Sequence, residues 1–133
     1  MKSSSWAITL SQTSEERLEE RVSSIVDYLA KTYKDSQWQI LDLDATGKYG
    51  GRLTLQLNKE DRLCLTLSDF LDMLAEDGQV IDLDAAVLVN KQTLFKIIIQ
   101  DGSSVDILGK GVLLPSDVLG AYSASDPKLF LWN

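Results

Sequence analysis

Histidine is absent from these 133 residues, cysteine occurs once, proline twice, and aromatic residues make up only 8%. Without histidine, Ser-His-Asp and Cys-His nucleophilic catalysis and histidine proton shuttles are excluded. One cysteine and no histidine cannot assemble a zinc site from those ligands, and a single thiol forms no intramolecular disulfide. Cys64 lies where Leu63, Leu65 and Leu67 alternate with Arg62, Cys64 and Thr66, so it reads as a small strand residue rather than a reactive thiol. No run approaches the ~20 apolar residues of a membrane span. Met1–Trp6 carries a serine run instead of the apolar core of a signal peptide, so a cytoplasmic protein is the expectation. Positive charge is scarce as well. Thirteen Lys and Arg stand against twenty Asp and Glu, a net charge of −7. That balance disfavours nucleic acid and anionic membranes as partners; it permits solubility, cation binding or the steering of a basic partner.

What is present is a globular composition, 44% hydrophobic and 25% charged, in a length that suits a single domain over residues 1–133. One segment occurs twice. Gln39–Ala45 reads QILDLDA and Gln79–Ala85 reads QVIDLDA, with five identities in seven. A second echo follows each, LTLSDFL at Leu65–Leu71 and LLPSDVL at Leu113–Leu119. Self-similarity at this spacing implies one supersecondary unit used twice, here as repeat-like units 39–78 and 79–122.

Hydrophobic periodicity gives the expected elements. Ser5–Leu10 alternates as a short strand. Thr13 with Glu16 forms a capping box ahead of a long helix, about Ser14–Lys34, whose stripe is Leu18, Val22, Ile25, Val26, Leu29 and Tyr33. Gln37–Asp44 is extended, and the glycine-rich Thr46–Gly51 is a loop. Leu53, Leu55 and Leu57 form a strand that turns at Asn58–Asp61 and pairs with Leu63–Leu67 in a hairpin. Ser68 would cap a short helix through Phe70, Leu71 and Leu74, closed by Gly78. Val80–Val89, Leu94–Gln100 and Val105–Leu108 are strands, the last two joined at Asp101-Gly102. A second short helix follows Pro115, and Leu129–Trp132 is a closing strand. The fold class is therefore α+β, an antiparallel sheet with one long N-terminal helix and two short ones, in the order β-α-βββα-βββα-β.

Ile40–Gly47, ILDLDATG, resembles the first motif of haloacid dehalogenase-type phosphatases. That resemblance implies Asp42 as nucleophile, Asp44 as acid/base and Mg²⁺ as cofactor on a parallel doubly wound sheet. No later G-D-x-x-x-D motif accompanies it. Asp42, Asp44, Thr46 and Gly47 also resemble the opening of an EF-hand loop, but Leu53 stands where the bidentate Glu belongs. The order of elements resembles class I type III secretion chaperones in outline. Leu65–Asn90 resembles surface-presentation-of-antigens modules over a short helix followed by G-x-V-I-x-L-D. Both resemblances imply protein binding.

Read from the residues alone, each D-L-D places two carboxylates on one face of a strand around an inward leucine. Aspartate is a poor strand former, so its use at the same place in both echoes suggests a turn or a recognition edge; solvated strand ends are the simpler reading and a partner-facing acidic ridge the other. The expected function is a non-catalytic, acidic, protein-binding protein: a chaperone, adaptor or inhibitor, with an immunity protein or antitoxin as a variant. A small metal-dependent phosphohydrolase using the Asp-x-Asp motif is the rival. Candidate partner-binding residues are Asp42, Asp44, Asp82, Asp84 and Trp38. No catalytic residue, metal or cofactor is assigned, and expected partners are a basic protein or a second copy of the chain.

Overall fold

In the computed structural model, residues 5–11, 17–60, 62–76, 78–111 and 113–126 are described. The chain runs β1 (Ser5–Leu10), α1 (Leu18–Thr32), β2 (Gln37–Ala45), α2 (Lys48–Leu57), β3 (Leu63–Leu65), α3 (Leu67–Ala75), β4 (Val80–Val89), β5 (Gln92–Gln100), β6 (Ser104–Lys110), α4 (Ser116–Leu119) and β7 (Tyr122–Ser125). The seven strands form one antiparallel sheet in the order β3-β2-β4-β5-β6-β1-β7. Among the described residues no helix is long and apolar enough to cross a membrane.

The α+β class and the antiparallel sheet are as the periodicity implies. The core lies between one sheet face and the helices. Val22, Ile25, Val26 and Leu29 of α1 are fully buried and meet Ile40, Leu83, Val87, Ile97 and Ile107 of the strands in one cluster with Phe70, Met73 and Leu74 of α3. Trp6 lies over Gly109 of β6, its cross-strand neighbour, where any Cβ would collide with the indole, and its ring centroid is 6.2 Å from that of Phe95.

Several expectations need correction. The N-terminal helix has 15 residues and begins at Leu18 with Arg17 as its cap, without a side-chain capping bond. The Thr13–Glu16 capping box and the Leu129–Trp132 strand lie outside the described residues. The strand expected at Leu53–Leu57 is helical. Leu53 and Leu57, four apart, are buried while Leu55 is 66% exposed, so the same three leucines satisfy a period of two or a helical stripe. The glycine-rich segment starts this helix instead of looping, because Gly50 lets α2 sit directly on Ala45; a Cβ there would lie 2.8 Å from the alanine Cβ. There is consequently no hairpin between 53 and 67, and β3 pairs with β2. Thr66, not Ser68, caps α3, its Oγ1 accepting the Asp69 N–H at 3.1 Å. Glu76, not Gly78, ends it.

The two units also diverge. The first folds as strand-helix-strand-helix and the second as three strands and a helix. What survives of the echo is local. LTLSDFL and LLPSDVL both lead into helices, and both D-L-D segments lie in strands.

Two stability outcomes follow. Ile25→Ala removes a fully buried side chain and should lower the unfolding free energy by about 2–5 kcal/mol in urea titration. The β4–β5 turn holds Asn90 and Lys91 at φ 54° and 65°, the left-handed region that favours glycine. Lys91→Gly should therefore raise stability by about 0.5–1 kcal/mol, seen as a higher melting temperature.

Candidate functional site: an acidic ridge on the sheet

β2 and β4 are the two strands that carry the echo, and they pair with each other. The register sets Asp42 opposite Asp84, Leu43 opposite Leu83 and Asp44 opposite Asp82. Antiparallel pairing of two like segments creates a local two-fold centred on the leucines. Both leucines are buried in the helix-facing core. Alternation then sends all four carboxylates to the opposite face, as two directly opposed pairs. Directly opposed Cβ atoms stand only about 4.5–5.5 Å apart, and like charges there are destabilising.

The four carboxylates are not equivalent. Asp84 is held by Lys96 of β5, whose Nζ lies 3.0 Å from Oδ1 and 3.2 Å from Oδ2. The Lys96 side chain is 2% exposed and that of Asp84 32%. In the register, Lys96 stands between Ala86 of β4 and Leu108 of β6, so its methylene stem runs along small and aliphatic neighbours while its ammonium meets the carboxylate. Asp82 Oδ1 accepts the Asp101 N–H at 3.2 Å and pins the β5–β6 turn. Asp42 and Asp44 are exposed, and among the described residues no cation or donor pairs with either. The ridge thus has a structural half on β4 and, among the described residues, an unpaired half on β2.

Further along this face, Asp106 of β6 is buried and accepts the Thr9 hydroxyl at 2.5 Å. With that proton committed, Thr9 Oγ1 accepts from Ser125 at 3.1 Å, which extends the polar chain across β6, β1 and β7. Sequence reasoning missed Lys96 and Asp106. The signal was available: each is a single charge inside an apolar run, LFKIII and VDIL, where only a partnered charge is buried.

Trp38 does not join the ridge. It is 3% exposed, and its ring packs edge-on against Phe70 with centroids 5.4 Å apart. Its role is in the core, at the foot of a groove of about 360 Å³ bordered by Lys34, Cys64 and Leu67. Among the described residues no three carboxylate or thiol groups converge as metal ligands. The parallel sheet implied by the phosphatase resemblance is replaced by an antiparallel one in which Asp42 lies within a strand flanked by β3 and β4. Compared with known protein families, with characterised proteins and with solved structures, the chain matches none.

Among the described residues, Lys96 is the one cation paired with the opposed carboxylates. Lys96→Met keeps the stem and removes the charge, leaving Asp84 partly desolvated beside Asp42. Stability should fall by about 2–3 kcal/mol, below the loss typical of fully buried pairs because Asp84 remains one-third exposed. Denaturant titrations at low and high salt check this, since the loss should shrink as salt screens the remaining carboxylates.

Proposed function

We propose that the protein is a non-catalytic binding protein that recognises a basic protein partner through Asp42 and Asp44, with Asp82 and Asp84 behind them. The observation that carries this reading is the placing of like charges directly opposite each other across β2 and β4. A sheet gains nothing from such pairs. A partner bringing Lys or Arg side chains to the ridge would relieve the repulsion on binding, so the unfavourable term in the free protein becomes affinity in the complex. The net charge of −7 adds a long-range field of the same sign, which speeds encounter with a basic surface. Within this class, an adaptor, a chaperone and an inhibitor that masks a basic enzyme all use the same surface. A cytoplasmic setting fits the lone, exposed Cys64 on β3, since free thiols persist where disulfides are not formed.

The test separates binding from folding. Neutralising all four carboxylates would disturb the Lys96 pair and the Asp101 turn, so the informative variant is Asp42→Asn with Asp44→Asn. It should bind a captured basic partner, or a lysine-rich probe peptide, with a slower association rate at low salt. Its melting temperature should be unchanged or higher. Stopped-flow association at two salt concentrations, alongside thermal melting, measures both. Unchanged, salt-independent association would remove the ridge from recognition.

A further inference from the structure

The chain also carries a surface of opposite sign. Helix α2 has no acidic residue. Its buried side is Gly50, Leu53 and Leu57. Lys48, Arg52 and Leu55 stand at i, i+4 and i+7 on the other side, one stripe of the helix, and all are exposed. Lys59 follows in the next turn, its N–H donating to the Gln56 carbonyl at 3.1 Å, and is exposed too.

Among the described residues no carboxylate pairs with Lys48, Arg52 or Lys59. The first two instead lie over the Tyr49 ring, at 5.9 Å and 5.3 Å from its centroid. Leu55, at 66% exposure, is the most exposed large apolar side chain among the described residues. In a chain of net charge −7, three unpaired cations around an exposed leucine are a localised reversal of sign.

We infer that this α2 stripe docks onto the acidic ridge of a second copy of the chain. The inference rests on the ridge being a docking surface, as proposed above, and adds what the same molecule offers to it. The charges are complementary: exposed Asp42 and Asp44 on one copy, exposed Lys48, Arg52 and Lys59 on the other. The two surfaces cannot satisfy each other within one molecule. α2 packs on the helix-covered face beside Ala45, and the ridge lies on the opposite face of the same strand. Contact between copies is therefore head-to-tail, joining two different patches, so a docked pair leaves one free ridge on one copy and one free stripe on the other. A contact of one helix face is small, so the association is weak and concentration-dependent, in the range of about 10–1,000 µM. It also competes with a foreign basic partner for Asp42 and Asp44, so self-docking would hold the ridge covered when the protein is concentrated.

Sedimentation velocity on the full chain, at rising concentration and two salt levels, tests this with two charge-reversed variants. Arg52→Glu with Lys59→Glu makes both surfaces acidic; Asp42→Lys with Asp44→Lys makes both basic. All four positions are exposed, and thermal melting confirms that each variant is folded. Wild type should show salt-sensitive association, and each variant alone should stay monomeric. An equimolar mixture of the two should associate again, through the unaltered ridge of the first variant and the unaltered stripe of the second.

Three outcomes overturn the inference: a wild type that stays monomeric at low salt, variants that self-associate as wild type does, or a mixture that does not associate. If the wild type is monomeric but Arg52→Glu with Lys59→Glu abolishes binding of a glutamate-rich probe peptide, the stripe serves a foreign acidic protein instead. A lysine-rich peptide that still binds the ridge of a monomeric wild type would leave the preceding function standing and remove only self-docking.

Discussion

The pairing of β2 with β4 is the constraint on which the rest of the molecule depends. It joins the two sequence echoes along eight paired positions, from Gln37 opposite Leu88 to Ala45 opposite Val80. Slipping β2 by one residue against β4 would send Leu43 to the carboxylate face and Asp42 and Asp44 into the core, which is strongly unfavourable. The buried leucines therefore fix where the charges go. The ridge follows from the core, because with inward leucines at the centre of both D-L-D segments the carboxylates have only the other face.

Given that register, several charged side chains act as local repairs. Lys96 neutralises the β4 side of the ridge. Glu19, on the first turn of α1, accepts the Val80 N–H at 3.1 Å and so satisfies the donor where β4 begins. The Glu76 carboxylate accepts the N–H groups of Tyr49 at 3.0 Å and Gly50 at 2.8 Å, filling the positive end of α2. Arg21, 7% exposed, donates to the carbonyls of Ser11, Leu119 and Ala121 and ties α1 to the end of β1 and to the α4–β7 connection. Glu19, Glu76 and Arg21 are each bonded to backbone at a junction between elements. Such bonds specify one arrangement of the chain more than they add stability, because desolvating the charge offsets much of the bond.

This arrangement also explains what was legible in the sequence. The α1 stripe, the long β4 and β5 runs and the Asp101-Gly102 turn were readable because each is decided by neighbours along the chain. Helix α2 was not, since Leu53, Leu55 and Leu57 fit either period. What selects the helix is the Glu76 carboxylate, 26 residues away from Gly50, and the contact of Gly50 with Ala45. The four aspartates were readable as a solvent-facing set, but their pairing was not, because strand order is a property of the sheet. Trp38 illustrates the reverse error. Its residue type suggested an interface anchor, and its place opposite Val87 and Leu65, under Phe70, makes it core.

The division of the ridge into two halves bears on how one surface can be both acidic and stable. Asp82 and Asp84 are held by a backbone amide and a buried ammonium, so their charges are fixed in position whether or not anything binds. Asp42 and Asp44 face them across the strand pair, and among the described residues no cation or donor pairs with either. At the proposed surface an incoming cation would meet the two exposed carboxylates of β2, with Asp82 behind them and Asp84 already neutralised by Lys96. In the proposed docking role, the ordering cost on binding would fall on Asp42 and Asp44, since Asp82 and Asp84 are already held. The basic stripe of α2 has the same economy, with Lys48 and Arg52 already lying over Tyr49. A cation brought to this face, as proposed, would meet carboxylates whose positions were set by two buried leucines on the far side of the sheet.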